Sequence, residues 1–404
     1  MTHTLSRRQL LKSSAAVGLM LPSLGRGAGR RILAYVGTYS SPQGPEGSKG
    51  NGQGIYLFEM DSSTGALAKR EVFEDRLNPS WLAFHPSGNF LYAANEVSDF
   101  EGTPSGAVTA YGVERRSGRL TRLNTVSSQG AGPAHLSVHP SGKFVFVANY
   151  HGGSFAVLPV DSDGRLRPAS DVKRDTGPIG PVHAASAPPG SFAISGHDRA
   201  HAHMIEADPA GKFVLGSDLG MDRIHVWKFN AEAGTLEYDA STAVPPGDGP
   251  RHFAFHPNGG WLYSLQEEGS TLIAFDYDAA SGTLTQKQQI SSLTAGFAGT
   301  NFTSEVRISR DGRFLYAANR LHDSIAWFSI GPAGTLKFAG ETWTRGDYPR
   351  SFTIDPSGSY LYSCNQRGDA VTVFRVNRAT GELTFTGQFI PVGTPSIIVF
   401  LDAR

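Results

Sequence analysis

Short apolar runs separated by tight turns are the dominant pattern along this chain. The run Trp81–Phe84, for example, leads into a Pro-Ser-Gly turn, which is followed by a second apolar run, Phe90–Ala94. Such runs, bounded by Pro and Gly, are typical of β-strands joined in hairpins. Turns of this type occur at His85-Pro-Ser-Gly, His139-Pro-Ser-Gly, Asp208-Pro-Ala-Gly, His256-Pro-Asn-Gly, Ser309-Arg-Asp-Gly and Asp355-Pro-Ser-Gly. The pattern predicts an all-β protein built from one repeated hairpin.

A second turn motif, in which Thr, Ser, Asp or Ala precedes Gly-x-Leu, occurs seven times. Its leucines are Leu67, Leu120, Leu166, Leu236, Leu284, Leu336 and Leu383, at intervals of 53, 46, 70, 48, 52 and 47 residues. A period of about 50 residues indicates propeller blades, because most solenoid repeats are shorter. The Gly permits the turn and the Leu begins the outer strand. Each blade therefore reads as inner strand, Pro-Gly turn, second strand, third strand, Gly-x-Leu turn and outer strand.

The unequal numbers of the two turns locate the seam of the ring. Seven Gly-x-Leu turns stand against six Pro-Gly turns, so one blade lacks the turn between its inner and second strands. The chain from Arg31 to Tyr39 matches a second strand, and the C-terminal stretch Pro395–Asp402 matches an inner strand. We therefore expect a seven-bladed β-propeller of four-stranded antiparallel blades, closed by the C-terminal strand in the first blade.

Two stretches depart from the repeat. The interval of 70 residues contains an insertion over Thr176–Ala200, rich in Pro, Gly, Ala and Ser. We expect it to form an elaborated loop on one face of the ring. The irregular stretch Ser40–Gln53 is expected to form a loop at the same rim.

Composition and charge narrow the function. The 404 residues include 36 basic and 36 acidic side chains, so no overall field favours nucleic acid or an anionic membrane. The single cysteine, Cys364, excludes an intramolecular disulfide and lies in the predicted strand Tyr360–Asn365, where a buried thiol is expected. We predict a small-molecule ligand, no membrane span and no cofactor; the sequence does not fix the oligomeric state.

The N-terminus carries an expected export signal rather than a part of the fold. Ser6-Arg7-Arg8-Gln-Leu-Leu-Lys12 precedes the weakly apolar stretch Ala15–Leu24, a pattern typical of twin-arginine signals. The apolar stretch is too short to span a bilayer comfortably. We therefore assign residues 1–30 to a signal peptide, residues 31–404 to the propeller and the protein to the periplasm or another exported location. The alternative is the basic start of a cytoplasmic protein.

Polar residues recur at one end of the hairpins. The start of an inner strand and the end of the second strand meet at one mouth of the channel, because the two strands form a hairpin. In blades four to six these positions carry His203, Arg251, Glu267 and Arg320, which should face one another. Strand ends are normally polar, so the joint pattern indicates a site better than any single residue does. The predicted substrate-binding residues at the same mouth are His135, His201, His252, Asn319 and Arg350.

Metal binding is a weaker interpretation of the same mouth. His201 and His203 form a His-x-His pair on a strand, and with Glu267 they could hold a divalent ion. Paired histidines are also common at polar mouths without metal, and we favour a site without one. The histidines of the Pro-Gly turns recur with the repeat at the opposite end of the inner strand, so we interpret them as structural.

Three segments resemble the propeller-type lactonases, a family that includes bacterial 6-phosphogluconolactonases and fungal carboxy-muconate lactonizing enzymes. They are Asp218-Leu-Gly-Met-Asp-Arg-Ile224, Gly249-Pro-Arg-His-Phe-Ala-Phe-His-Pro-Asn-Gly259 and Phe314-Leu-Tyr-Ala-Ala-Asn-Arg-Leu-His-Asp-Ser-Ile325. The resemblance covers the chain from about Ile32 onward, and it implies lactone chemistry without an obligatory cofactor. By motif, the catalytic His, two Arg and Glu of the muconate branch fall on His203, Arg251, Arg320 and Glu267. Where the family usually has Pro before the His-x-His pair, this chain has Ala200.

The resemblance and the polar mouth together predict a lactonase that hydrolyses a sugar-type lactone. Hydrolysis needs an activated water, a stabilised oxyanion and a proton for the leaving alkoxide. Glu267 and His203 are the expected base and acid, in an order that the sequence leaves open. Two alternatives remain at this stage: a lactone-forming cycloisomerase of the muconate type and a non-catalytic binding propeller of the cell envelope.

Overall fold

A computed structural model describes residues 31–42, 49–192 and 196–403 of the chain. These residues form 28 strands, joined by turns and loops. In chain order the strands are β1 Ile32–Thr38, β2 Gly54–Met60, β3 Leu67–Glu74, β4 Pro79–Phe84, β5 Phe90–Asn95, β6 Ala107–Glu114, β7 Arg119–Ser127, β8 Pro133–Val138, β9 Phe144–Asn149, β10 Ser154–Pro159, β11 Asp171–Arg174, β12 Ala202–Ala207, β13 Phe213–Asp218, β14 Arg223–Asn230, β15 Thr235–Ala243, β16 Pro250–Phe255, β17 Trp261–Gln266, β18 Thr271–Asp278, β19 Thr283–Ser291, β20 Thr303–Ile308, β21 Phe314–Asn319, β22 Ser324–Ile330, β23 Leu336–Trp343, β24 Pro349–Ile354, β25 Tyr360–Asn365, β26 Ala370–Val376, β27 Leu383–Pro391 and β28 Pro395–Asp402.

The strands form seven four-stranded antiparallel sheets, which confirms the predicted seven-bladed propeller. The first blade has the order β28-β1-β2-β3, and the other six follow the chain from β4-β5-β6-β7 to β24-β25-β26-β27. The C-terminal strand pairs antiparallel with β1, from Ile32 opposite Asp402 to Thr38 opposite Pro395. It also contacts the inner strands β4 and β24 of the neighbouring blades. The seam therefore lies where the turn count predicted it.

Neighbouring blades are joined at the Gly-x-Leu turns. Gly381 has a φ of 78°, and a side-chain carbon there would lie 2.5 Å from the Phe314 ring of the preceding blade. Tyr316, in the same strand as Phe314, donates its hydroxyl hydrogen bond to the Gly381 carbonyl at 3.0 Å. The same tyrosine-to-glycine bond reaches the next blade from Tyr35, Tyr92, Tyr263 and Tyr362. Glycine recurs in this motif because a side chain would enter the neighbouring blade.

The histidines of the Pro-Gly turns also join blades, in agreement with their predicted structural role. Nε2 of His85, His139 and His256 lies 3.1, 2.9 and 2.9 Å from the carbonyl of the turn glycine in the following blade. They lie at the end of the inner strands away from the predicted site.

The outer strand of the third blade departs from the prediction. Leu166 does not begin that strand, since it forms only an isolated bridge with Val160 and β11 starts at Asp171. Pro168 lies between them, and proline has no N–H group to donate to a strand ladder. The insertion after β11 contains no strand over its described residues, as expected.

Every inner strand has a register shift near its start. The shifts fall between Pro79 and Trp81, Pro133 and His135, Ala202 and Met204, Pro250 and Phe253, Thr303 and Val306, Pro349 and Ser351, and, in β28, between Pro395 and Ile397. A bulge of this kind adds a residue that has no partner on the neighbouring strand. Its side chain then departs from the regular alternation between the two faces of the sheet. His203, Arg251 and Arg350 all lie in such bulges.

The other structural expectations have different outcomes. Cys364 is fully buried in β25, and burial raises the pKa of its thiol to about 12, so the group is unreactive. The proposed signal over residues 1–30 lies outside the described residues, and the assignment of residues 31–404 to one domain stays a prediction. In the part of the chain that the structure describes, no helix is long and apolar enough to cross a membrane.

Removal of the closing strand is expected to destabilise the whole ring. In a chain that ends at Gly393, β28 is missing, so β1 loses one of its two strand partners and β4 and β24 lose their contact with it. The melting temperature should therefore fall by at least about 10 °C. Calorimetry measures this shift, and a chain that ends at Asp402 is the matched control because it keeps β28. If the shorter chain melted at the temperature of the full chain, closure by β28 would not hold the ring together.

Candidate functional site

A polar pocket of about 70 Å³ lies at one mouth of the channel. Among the described residues, those that line it are Glu96, Ala134, Tyr150, His151, His203, Glu267, Arg320 and Arg350. Three of the four predicted catalytic residues, His203, Glu267 and Arg320, therefore meet in one pocket. Arg350 is the only one of the predicted substrate-binding residues that lines it.

A repeated backbone hydrogen bond places the side chains that follow the second strands. In each blade, the residue after the second strand donates its N–H to the carbonyl of the residue before the inner strand. The bonds from Glu267 to Gly249 and from Arg320 to Phe302 are both 2.7 Å long. The donors in the remaining blades are Tyr39, Glu96, Tyr150, Leu219 and Gln366. Each blade thus places the residue that follows its second strand at the mouth of the channel, and only some of these residues carry a charge.

Glu267 is the centre of a buried ion-pair cluster. One of its carboxylate oxygens, Oε2, lies 2.9 Å from Nε of Arg251 and 2.6 Å from Nη2 of Arg320. The Arg320 side chain is almost fully buried, with its guanidinium 5.3 Å from the ring centres of Phe302 and Tyr348. Charge pairing and aromatic contacts together compensate for the loss of water around these groups.

Arg251 lies behind Glu267 and does not line the pocket. Its guanidinium also donates a short hydrogen bond to the Ser304 carbonyl. Burial, followed by repulsion from Arg320, lowers the pKa of Arg251 to about 10, so the group stays charged at neutral pH. Arg251 therefore supports Glu267 and Arg320 instead of reaching into the pocket.

A second carboxylate, Glu96, lies on the opposite wall. Its Oε2 accepts hydrogen bonds from the hydroxyls of Tyr39 at 2.8 Å and Ser80 at 2.6 Å. Arg350 lies 3.7 Å from Oε1 of Glu96, with its guanidinium 5.5 Å from the Tyr39 ring centre. Both walls of the pocket thus pair a carboxylate with an arginine.

His203 is the neutral group of the pocket. Its ring contacts the rings of His252 and Tyr150 edge to face, with centres 5.1 and 5.3 Å apart. Nδ1 is buried without a hydrogen-bond partner among the described residues. Burial, followed by the charge of Arg251, holds the pKa of His203 well below its usual range. The ring is therefore an imidazole base at neutral pH.

His135 and His252 lie deeper in the channel than the pocket. Trp81 contacts both rings, and the two histidines face each other at 5.5 Å between ring centres. His252 Nδ1 lies 3.3 Å from Oε1 of Glu305, and His135 lines a cavity of about 390 Å³ that reaches the other end of the inner strands. The two residues form a floor beneath the site, and their predicted contact with substrate stays a prediction.

His201 and Asn319 are placed outside the pocket by their partners. His201 stacks on the Tyr150 ring at 4.3 Å, and its Nε2 lies 2.7 Å from Oδ1 of Asp198. The Asn319 amide donates to the Ser292 carbonyl and the Ser324 hydroxyl, which ties neighbouring strands together. Tyr150 touches both His201 and His203, and no group of three His, Cys, Asp or Glu side chains suited to a metal ion occurs among the described residues.

The four lining residues that were not among the predicted site residues are Glu96, Ala134, Tyr150 and His151. Glu96 follows its second strand in the position that Glu267 and Arg320 occupy in theirs, so the repeat itself could have identified it. Tyr150 holds the same position in blade three, and His151 comes next. An aromatic residue at a strand end is common in any β-protein, and for that reason the sequence pattern alone did not single out Tyr150.

Comparisons with known proteins agree along the whole propeller. The family model described as a seven-bladed β-propeller lactonase matches residues 33–400. A 6-phosphogluconolactonase of Bacillus subtilis (strain 168) is 32% identical over 373 residues, which are 92% of this chain and 99% of the relative. A 6-phosphogluconolactonase of Formosa agariphila is 32% identical over 385 residues, covering 91% and 99%. The solved structure of a periplasmic gluconolactonase from Pseudomonas aeruginosa is 30% identical, with a TM-score of 0.82 and coverage of 93% and 100%.

Proposed function

The chain belongs to the lactonase family of seven-bladed β-propellers, and we propose that it hydrolyses a sugar-type lactone in the pocket at the mouth of its channel. The observation that carries this proposal is the convergence of His203, Glu267, Arg320 and Arg350 in one polar pocket. The names of the relatives agree with the substrate class, since two are 6-phosphogluconolactonases and one is a gluconolactonase.

His203 is the proposed general base. A neutral imidazole can take a proton from the attacking water, and it can return that proton to the ring oxygen that leaves. Glu267 is less suited to this role, because one of its two carboxylate oxygens, Oε2, already contacts two guanidinium groups. The structure therefore supports an order that the sequence left open, with His203 transferring protons and Glu267 holding the arginines.

Arg320 and Arg350 are the proposed stabilisers of the oxyanion. Attack of water on the lactone carbonyl places negative charge on the carbonyl oxygen, and fixed cations in a dry pocket stabilise that charge. Arg251, Arg320 and Arg350 face Glu96 and Glu267, so the cluster carries one excess positive charge while its histidines are neutral. Hydroxyls of the substrate can bond to Glu96, Tyr150 and His151 on the opposite wall.

Replacement of the base should reduce turnover with little effect on stability. His203→Gln keeps a polar side chain of similar size but cannot carry the proton, so kcat should fall by about 10²- to 10³-fold on glucono-1,5-lactone or its 6-phosphate. The rate above spontaneous hydrolysis and the melting temperature measure the two effects. His225→Gln is the matched control, since His225 is a buried histidine of the same blade outside the pocket. Full activity of His203→Gln would contradict the assignment.

The acid side of the pH profile tests the charge state of His203. Its pKa lies well below 6.5 in the folded protein, so kcat/KM should stay level from pH 8 down to pH 6. An exposed histidine base would lose activity through this range. A profile that falls with an apparent pKa near 6.5 would show that another histidine, or a solvated one, provides the base.

We propose that the protein is exported through the twin-arginine route. The motif at Arg7 and Arg8 supports it, and the gluconolactonase from Pseudomonas aeruginosa is described as periplasmic. Replacing both arginines with lysine should retain the protein in the cytoplasm of a bacterium that has this pathway, as measured by fractionation. Arg26→Lys is the control because Arg26 lies outside the motif. Equal export of the double variant would exclude the route.

A further inference from the structure

The insertion between β11 and β12 is fixed to the ring by a fully buried histidine. Nδ1 of His197 lies 3.0 Å from Oε1 of Glu268, and Nε2 lies 3.1 Å from Oδ1 of Asp222. A neutral imidazole has only one N–H group, so it can donate to one carboxylate alone. Donation to both carboxylates requires the imidazolium, and the geometry therefore points to a charged His197.

One of the two carboxylates belongs to a segment of the ion-pair cluster, and the other is hydrogen-bonded to the neighbouring segment of that cluster. Glu268 directly follows Glu267. Asp222 accepts the N–H groups of Gly247 and Gly249 at 2.6 and 2.9 Å, and Gly249 lies two residues before Arg251. His197 thus connects the strand end of Glu267 with the bulge of Arg251.

The same end of the insertion supports a wall of the pocket. A side-chain carbon at Gly196 would lie 2.5 Å from the hydroxyl of Tyr150, and His201 stacks on the Tyr150 ring. His197 lies between these two contacts along the chain. Its anchoring therefore also fixes the backbone that packs against Tyr150.

We propose that His197 is a positioning residue whose imidazolium orients Glu267, Arg251 and Tyr150 in the pocket. This inference rests on the proposed hydrolysis for its effect on activity. His197 itself does not touch substrate, because its side chain is fully buried outside the lining of the pocket. Its contribution is to keep Glu267 and Arg251 at the distance that the ion pair requires. Displacements of about 1 Å in such groups can lower rates by about 100-fold.

The charges around His197 agree with a lasting imidazolium. Burial alone would lower the pKa of His197, but its hydrogen bonds to Asp222 and Glu268 outweigh burial and raise it to about 9. Asp248 adds a further acidic group beside Asp222, with its own pKa raised to about 6 by burial. On the insertion itself, Asp198 pairs with His201 and Arg199. Positive charge at His197 is therefore surrounded mainly by carboxylates.

Kinetics of His197→Gln test the positioning role. The amide can donate to one carboxylate but presents its oxygen to the other, so kcat/KM for lactone hydrolysis at pH 7.5 should fall about 10- to 100-fold. Wild-type activity above the spontaneous rate should also decline as pH rises through about 9, while the variant should show no such step. His183→Gln is the matched control, because His183 is an exposed histidine of the same insertion. Unchanged kcat/KM in His197→Gln would overturn the positioning role.

Thermal stability tests the charge without any substrate. Because the folded pKa is raised above the unfolded value of about 6.5, the stabilisation is complete below pH 6.5 and lost as pH rises through about 9. The melting temperature of His197→Gln should lie below that of the wild type at pH 7, and the gap should narrow by pH 10. A constant gap from pH 7 to pH 10 would overturn the imidazolium. A chain that hydrolyses no lactone but shows the narrowing gap would refute the proposed function while leaving the charged contact intact.

Discussion

The structure depends on one constraint, the closure of the ring by β28 against β1. Each blade packs between two neighbours, and the first and seventh blades have theirs only because the two ends of the propeller chain share a sheet. Closure fixes the number of blades around the channel and therefore the distance between any two positions at its mouth. The backbone bond after every second strand then holds one side chain per blade at that mouth. Without a closed ring, neither the spacing nor the orientation of the pocket residues would be defined.

A rigid ring is needed because the pocket collects groups that repel one another. Arg251 and Arg320 contact the same oxygen of Glu267, and repulsion between them helps to lower the pKa of Arg251. An isolated buried cluster of this kind would open or take up water. Bulges at the start of the inner strands place His203 in the pocket and Arg251 behind Glu267, and the packed blades behind them resist rearrangement. Part of the fold's stability is thus used to hold charges in place before substrate arrives.

Sequence patterns predicted the fold more completely than the site. Turn motifs report local backbone geometry and repeat with the blades, so their count located both the ring and its seam. Three of the four predicted catalytic residues line one pocket, but Arg251 lies behind Glu267. The predicted substrate-binding residues His135 and His252 lie beneath the pocket, deeper in the channel. Depth along a channel depends on bulges, which leave no clear signal in the spacing of apolar residues. The insertion contact at His197 was missed for a related reason, since loop residues meet their partners only through tertiary structure.

The balance of charge in the pocket suits the proposed chemistry better than a purely basic site would. The lactone group is neutral, whereas its hydrolysis product is a carboxylate, so three unopposed arginines would hold that group more tightly in the product than in the substrate. Glu267 and Glu96 reduce the excess to one positive charge, enough to stabilise the negative charge that develops on the carbonyl oxygen. Interactions that strengthen toward the transition state raise the rate, and those that strengthen further in the product slow its release. We therefore propose for Glu267 a role that does not involve proton transfer, in which it limits how strongly the arginines hold the acid that the reaction forms.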